Sequence, residues 1–307
     1  MTAVLSIKNK DGTLISEEKV LAFSFRKDIY TPYTSLSARV RAAHSVFDDA
    51  AEVMLAIDSK LIHHGLIDSL KIEKAGGEYF LSVTSRGFTS LLCQNQIEPG
   101  LKMNISFNML MDNFYTLPYV THENNADDSS YIYVRPNTSM WDAASNLAYK
   151  LLGTYPYIRG TNTVMISPFP APEVFDFTGS ELISHGKELS CSHISSDYHM
   201  ADINGNYGTF DLTDPDAAAL KIVRHKYFDL DMRFLYDPQQ ALYFRDKFDF
   251  RGHKMLYCSY SGYCGEDLYD VVSFNGVSSE RIGSIDIRGS SKGILTETGV
   301  YRDKFPH

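Results

Sequence analysis

Short segments in which apolar and polar residues alternate dominate residues 3–85. Alternation with a period of two is typical of strands that bury one face. Turn residues separate these segments at spacings of about ten residues, and the first turn, Asp11-Gly12, favours a tight hairpin. Gly65 interrupts the apolar segment Lys60–Lys74 in a way that suits a β-bulge or a bend. These features predict a first β-barrel domain over residues 1–86.

Helical spacing replaces the alternation after residue 86. Two apolar blocks predict short helices, Phe88–Cys93 and Ser106–Phe114. A longer helix is predicted from Ser139 to Leu152, with Thr138 or Ser139 as its N-cap and Gly153 as its terminator. Short strands are predicted around this helix, at 131–134, 157–160 and 163–166. We therefore predict an α/β inserted domain over residues 87–180.

Strand patterns return from residue 181 and surround one helix near 237–252. Asp237-Pro238 predicts its start, because a short acceptor side chain suits the N-cap and proline loses no hydrogen bond at the first helical position. Arg251-Gly252 predicts its end. Strands are predicted at 189–195, 200–205, 255–262, 268–274, 282–287 and 293–298. The sequence thus predicts a second β-barrel domain over residues 181–307, and a mainly β fold class with an α+β insertion: two small β-barrel domains and an inserted α/β unit.

Composition limits the class of protein further. The chain has 307 residues, a length that suits two or three domains. Hydrophobic residues make up 44% and charged residues 22%, which disfavours intrinsic disorder. No apolar run approaches the roughly 20 residues of a membrane-spanning helix, and the N-terminus lacks the apolar core of a secretory signal. We therefore expect that the chain does not insert into a membrane and that it folds in a cytoplasm. The formal charge of −9 argues against a protein that grips nucleic acid through its phosphates.

Residue types that bind metals are present, but their spacing fits no ligand geometry. Four such residues lie within fifteen positions, His185, Cys191, His193 and His199. His63-His64 would point to opposite faces of a strand, and Asp127-Asp128 lies in a polar stretch that we expect to be a solvated loop. The four cysteines show no CxxC spacing, Cys93, Cys191, Cys258 and Cys264. We predict buried free thiols and no metal site, with any ligand at the three histidines left open.

The sequence offers few candidate catalytic groups. Asp229 and Asp231 would share a strand face and offer a carboxylate pair for hydrolysis, but that face is otherwise aromatic or unassigned. No phosphate-binding, dinucleotide-binding or hydrolase motif occurs. Tyrosines could instead form a sugar platform in a carbohydrate-binding or adhesive β protein, Tyr257, Tyr260 and Tyr263. We favour strand packing for these tyrosines, and we predict no catalytic residue, no cofactor and no enzyme.

Two stretches, Ile57–Asp68 and Leu81–Leu92, resemble the tail baseplate hub proteins of Mu-like phages and their relatives in phage-like bacteriocins and VgrG spikes. In that family a strand with an acidic residue leads to a glycine, a further strand and the junction where the first barrel ends. The helix from Ser139 to Leu152 looks like the inserted unit that follows. The block Ala241–Phe274 resembles the family's late helix and glycine-bearing strand, although Asp267–Asp270 lacks the family's tryptophan and glycine.

The resemblance implies a structural hub and carries over no catalytic residue. It implies a homotrimer whose six β domains form a ring between the tail tube and the central spike. The expected partners are the spike, tail tube and tape-measure proteins. DNA is expected to pass through the lumen without specific binding, because carboxylates repel phosphates. The expected location is the tail of a virion or phage-like particle, assembled in the cytoplasm of a bacterial host.

Overall fold

Strands make up most of the regular structure in the computed structural model, which describes residues 1–42, 47–126, 129–179, 182–234 and 237–305. The strands are β1 Ala3–Asn9, β2 Leu14–Asp28, β3 Ser35–Ala42, β4 Ala50–Ile57, β5 Lys60–Ala75, β6 Glu78–Gly87, β7 Gly100–Ile105, β8 Thr121–His122, β9 Ser130–Val134, β10 Tyr157–Arg159, β11 Thr163–Met165, β12 Val174–Asp176, β13 Ser184–Leu189, β14 Asp197–Met200, β15 Phe210–Thr213, β16 His225–Phe228, β17 Lys254–Ser261, β18 Val271–Phe274, β19 Val277–Arg281, β20 Ser284–Ser290 and β21 Gly293–Tyr301. The helices are α1 Leu91–Gln94, α2 Phe107–Phe114, α3 Met140–Leu152, α4 Pro215–Ala219 and α5 Pro238–Asp249, with 3₁₀ turns at Phe88–Ser90 and Met232–Phe234. Within the described ranges, no helix is long and apolar enough to cross a membrane.

Strands β1 to β6 close into a barrel. Their order is β1-β4-β5-β6-β3-β2, and β2 pairs back with β1. The predicted hairpin at Asp11-Gly12 joins β1 to β2, and Gly12 has a φ of 84° that suits glycine. Inward side chains from alternating positions fill the barrel, among them Leu5, Leu55 and Leu81. The predicted first barrel is therefore confirmed.

Gly65 lies where β5 passes closest to β6. A Cβ there would come within 2.2 Å of the carbonyl oxygen of Arg86. The registers of β5 with β4 and with β6 shift so that Ile62 and Asp68 are extra residues. The bulges therefore flank Gly65, and the glycine itself permits the close approach of the two backbones.

The inserted unit contains α1 to α3 and β7 to β11, as the helical spacing predicts. Ser139 is the N-cap of α3, because its hydroxyl accepts the backbone N–H of Asp142 at 3.0 Å. Gly153 ends the helix in the left-handed conformation, with a φ of 71°. The buried face of α3, with Trp141, Ala144 and Leu147, packs in a second hydrophobic core.

The third segment of the chain joins the barrel through backbone pairing. Strand β20 pairs with β2, so β20-β21-β17-β13 continues the barrel's sheet, and β12-β18-β19 and β15-β14-β16 form two smaller sheets. In the part of the chain that the structure describes, the pairings do not close a second ring of strands. Strand β12 also pairs with β18 across the predicted boundary at 180–181. The mainly β class with an α+β insertion is confirmed, and the division into three domains stays a prediction.

Two predicted strands are displaced. The strand expected at 189–195 lies upstream as β13. The reason is that the guanidinium of Arg224 donates hydrogen bonds of 2.8–2.9 Å to the carbonyl oxygens of Cys191, Ser192 and Ile194. The strand expected at 200–205 lies upstream as β14, since the Asp202 carboxylate accepts two backbone N–H groups and turns the chain. In both segments, side chains bind the backbone groups that a strand would have used.

Helix α5 forms where the sequence predicts it. The Asp237 carboxylate accepts the backbone N–H of Gln240 at 3.0 Å, and the Arg251 guanidinium donates to the carbonyl oxygen of Phe248 at 2.6 Å. Its buried side chains, including Leu242 and Phe244, belong to the core of the inserted unit. The third segment therefore contributes to both hydrophobic cores.

Candidate interaction surfaces

The residues considered for a metal site are separated in the structure. His185 lies on β13 with its Nε2 at 3.3 Å from Asn275 Nδ2, and His193 is exposed in a bend before β14. The Cys191 sulfur is 3.9 Å from His253 Nδ1. Among the described residues, no three histidine, cysteine or acidic side chains are arranged to hold a metal. Asp127-Asp128 lies outside the described residues.

The cysteines are free but not uniformly buried. All four are without a disulfide, as predicted. Cys258 is buried and Cys191 is half-buried, whereas Cys93 and Cys264 are exposed. The prediction of burial is therefore wrong for Cys93 and Cys264, which lie at the end of α1 and in the loop after β17, where a side chain faces outward.

His63 and His64 occupy opposite environments, as predicted for neighbours in a strand. His63 is buried and bonded to the hydroxyls of Thr34 and Ser85, both at 2.8 Å. Burial lowers the pKa of His63 to about 3, so this imidazole is neutral. His64 lies on the other face with its Nε2 at 3.0 Å from Glu52. The two imidazoles therefore face different sets of partners on the two sides of the strand.

Asp229 and Asp231 are in different surroundings. Asp229 is exposed, and Asp231 is buried with its carboxylate at 2.8 Å from the guanidinium of Arg245. Both lie after the end of β16, so the strand geometry that would place them on one face is absent. An ion-paired buried carboxylate beside an exposed one does not resemble the paired carboxyl groups of hydrolases.

The three tyrosines considered as a sugar platform pack within the fold. Tyr260 is buried, stacks on Phe177 at a centroid distance of 4.3 Å and donates to Glu266. Tyr257 lies against Gly186, where a Cβ would come within 2.8 Å of the phenol oxygen. The Tyr263 hydroxyl donates to the carbonyl oxygen of Glu266 at 3.1 Å. These contacts favour strand packing over a sugar platform.

An ionic junction joins the barrel to the inserted unit. Lys27 of β2 is buried, donates to the carbonyl oxygen of Gly160 at 2.7 Å and pairs with Asp267. Asp267 also accepts the backbone N–H of Gly160 at 2.7 Å. Burial lowers the pKa of Lys27, and the carboxylate of Asp267 acts in the opposite direction. No sequence motif indicates this junction, although Lys27, two residues after the inward Phe25, interrupts the apolar positions of β2.

The segment 267–270 completes the junction. Arg159 of β10 donates to the carbonyl oxygen of Leu268 and, at 2.8 Å, to the carboxylate of Asp270. The rings of Tyr157 and Tyr269 stack at a centroid distance of 4.0 Å. Asp267–Asp270, the segment without the tryptophan and glycine of the hub proteins that the sequence resembles, therefore connects the inserted unit to the barrel.

Strand β13 presents an edge of the long sheet. It is the last strand in the sheet order, and its described backbone partner lies on one side, in β17. Apolar side chains flank this edge, with Ile183 62% and Leu189 57% exposed. Exposed strand edges accept further strands, so β13 is a candidate surface for assembly.

A second candidate surface is an apolar cavity of about 400 Å³ beside the small sheet β15-β14-β16. Its apolar lining comprises Ile203, Phe210, Leu230, Met232, Phe234 and Pro238. Ile203 at its margin is 87% exposed. Apolar surface of this kind is typical of sites that contact another molecule.

Comparison with known proteins identifies the fold. No protein-family model matches the sequence, and no curated protein sequence matches it. The crystal structure of the 43 kDa tail protein of prophage MuSo2 from Shewanella oneidensis matches with a TM-score of 0.70 at 13% identity, covering 98% of both chains. The tail protein from Neisseria meningitidis MC58 matches with a TM-score of 0.70 at 12% identity, covering 99% of this chain and 97% of that one.

A third similar structure comes from a secretion system. The E. coli c3393 protein matches with a TM-score of 0.58 at 10% identity, covering 99% of this chain and 79% of that one. It is described as a component of the type VI secretion system with structural similarity to the T4 bacteriophage tail proteins gp27 and gp5. Identities this low establish the fold and leave the role to be argued. The resemblance drawn from Ile57–Asp68 and Leu81–Leu92 is confirmed at the level of fold.

Proposed function

We propose that this chain, which has the fold of prophage tail proteins, is a structural tail protein of a phage or phage-like particle. In detail, we propose a homotrimeric hub ring that joins the tail tube to the central spike. The observation that carries the proposal is the match of the whole chain to prophage tail proteins at a TM-score of 0.70. The proposal includes no catalytic role.

The pairing of β2 with β20 supports the ring. Within one chain this pairing joins the barrel to a second set of strands edge to edge. The edge of β13, at the other end of the same sheet, is available for pairing of the same kind with a neighbouring copy. Repeated head-to-tail pairing that closes by rotation yields a ring.

The proposed position of the ring, between the tail tube and the spike, determines its expected partners. The proposed contacts are a central spike, the tail tube and the tape-measure protein, in a particle assembled in the bacterial cytoplasm. The similarity that the c3393 protein is described as having to gp27 and gp5 supports a contact with a spike. The charge of −9 supports a lumen through which DNA passes without being held.

Native mass measurement tests the ring. At micromolar concentration we expect a species of three times the chain mass of 34.6 kDa. Leu189→Asp should shift it to monomers, because a carboxylate would be buried at the β13 edge. Leu14→Asp is the matched control, since Leu14 is 51% exposed on β2, and it should leave the trimer intact. A wild-type chain that stays monomeric, alone and with its spike protein, contradicts the ring.

A further inference from the structure

One face of the sheet β15-β14-β16 carries imidazoles and carboxylates. Parallel pairing of β14 with β16 places Asp197 opposite His225 and His199 opposite Tyr227. Antiparallel pairing of β14 with β15 places Asp211 opposite His199. Residues two apart in a strand, and residues directly opposite, share a face of the sheet. These five side chains therefore stand together on a half-exposed surface.

Two ring nitrogens on this face lie at the spacing of a shared metal ion. His199 Nε2 and His225 Nδ1 are 3.3 Å apart, and the two rings are nearly parallel, at 9°. Two nitrogens that each lie about 2.0–2.1 Å from one tetrahedral zinc ion are separated by about 3.3–3.4 Å. The distance between the two nitrogens therefore matches that of two imidazole ligands on one ion.

Asp211 holds His199 in the tautomer that can bind a metal through Nε2. Its Oδ1 lies 2.7 Å from His199 Nδ1, and an ionised carboxylate only accepts hydrogen bonds, so Nδ1 carries the proton. In the neutral imidazole the lone pair is then on Nε2, the atom that faces His225. Metal-binding histidines are commonly held in this way by a carboxylate on the other ring nitrogen.

The charge of the face favours a cation. Asp197 Oδ2 lies 3.7 Å from His225 Nδ1, and the hydroxyls of Ser196 and Thr213 hold this carboxylate in place. The hydrogen bond from Ser196 is the main cause of a lowered pKa of Asp197. Two carboxylates thus flank the two imidazoles.

We propose that His199 and His225 form a two-histidine site for a divalent ion such as Zn²⁺ or Cu²⁺, with water in the remaining coordination positions. Imidazole nitrogens suit these ions among the first-row metals. When the ion binds, the proton between the two ring nitrogens moves from His225 Nδ1 to His225 Nε2, which leaves the lone pair of Nδ1 for the metal. The site is independent of the tail function, and it fastens β16 to β14.

Titration of the untagged full-length protein with Zn²⁺ alone tests the site. We expect one ion per chain, and His199→Ala or His225→Ala should weaken binding at least about tenfold. With Cu²⁺, the electron paramagnetic resonance spectrum should show two coordinating nitrogens in the wild type and one in either variant. His193→Ala is the matched control, because His193 is an exposed histidine outside this face, and it should bind as the wild type does.

A positioning role for Asp211 gives a second measurement. Asp211→Asn keeps both ligands and should weaken Zn²⁺ binding about tenfold, as loss of an outer carboxylate does. Trp141 fluorescence, which reports the packing of the second hydrophobic core beneath this sheet, should be unchanged in every variant, because the substituted side chains lie on the other face of the sheet. Zn²⁺ binding that survives in the double variant His199→Ala/His225→Ala, or no binding by the folded wild type, overturns the site.

Discussion

Lys27 places an ammonium group where the alternation of β2 calls for an apolar side chain. It is buried and pairs with Asp267. Lys27→Met keeps most of the volume of the side chain and leaves the Asp267 carboxylate without its cation. We expect the free energy of unfolding to fall by about 3 kcal/mol, because breaking a buried ion pair strands the remaining charge. Urea denaturation followed by circular dichroism measures the change.

Lys10→Met provides the comparison for Lys27. Lys10 pairs with Asp49 at 2.6 Å, but both side chains are exposed to solvent. We expect a much smaller loss of stability than for Lys27→Met, because water and salt screen an exposed ion pair. Equal losses in the two variants would show that the ionic junction does not stabilise the fold.

Helices α4 and α5 meet through a pair of carboxyl groups. Asp214 is the N-cap of α4, Asp246 lies on α5, and the ammonium of Lys304 contacts both. Burial raises the pKa of Asp246 to about 7, and the hydrogen bond with Asp214 adds to the rise. Around neutral pH the contact between the two helices therefore holds a proton that it loses in alkaline solution.

This proton predicts how stability depends on pH. The folded pKa of Asp246, about 7, lies above the unfolded value of about 3.9, so the folded state binds more protons between them. The resulting stabilisation is complete below the unfolded pKa and is lost as pH rises through about 7. We expect the urea midpoint of the wild type to fall from about pH 5 to about pH 8 more than that of Asp246→Asn.

An exposed carboxyl group is the control for Asp246. Asp49→Asn should keep the slope of the wild type, because Asp49 lies on the surface. Urea midpoints of Asp246→Asn that fall as steeply with pH as those of the wild type would contradict the assignment of the proton to Asp246.

Local chemistry explains which elements the sequence predicts correctly. Helices α3 and α5 begin at Ser139 and Asp237, whose acceptor side chains act on backbone groups three residues away. The strands β13 and β14 are displaced because Arg224 and Asp202 bind backbone groups at 190–206. For Arg224 the contact spans about thirty residues, and no local pattern reveals a contact between residues so far apart.

The same limit applies to the candidate sites. In sequence His199 lies near other potential ligands, whereas the histidine that it contacts on the sheet is His225, in a strand that follows an intervening helix. Only the order β15-β14-β16 brings them together. Lys27 could have been noticed from β2 alone, but its partner Asp267 is 240 residues away.

On the scale of the whole molecule, the two hydrophobic cores do not follow the order of the chain. One core combines the barrel with β17 to β21, through side chains such as Leu55, Ile287 and Val300. The other combines the inserted unit with α5 and β14, through Leu147, Tyr198 and Leu242. Residues 181–307, predicted from the sequence as one domain, are thus divided between the two cores.

The division into two cores predicts which elements unfold together. Leu242 is fully buried on α5, where the neighbouring Phe244 packs on Tyr149 of α3 at a centroid distance of 5.0 Å. Leu242→Ala should lower stability by about 2–5 kcal/mol through the cavity that it leaves. Amide hydrogen exchange should then quicken in α3 and α5 together and stay slow in β20 and β21, which belong to the other core.

The control for Leu242 is Leu220→Ala, since Leu220 is exposed just after α4 and its loss should leave all exchange rates unchanged. If Leu242→Ala quickened exchange in β20 and β21 as much as in α5 and spared α3, residues 181–307 would behave as one unit. The predicted second domain would then describe the cooperativity of the chain better than the two cores do. Apolar side chains are buried in the two cores regardless of their order in the chain, so we expect amides of the elements in one core to exchange together.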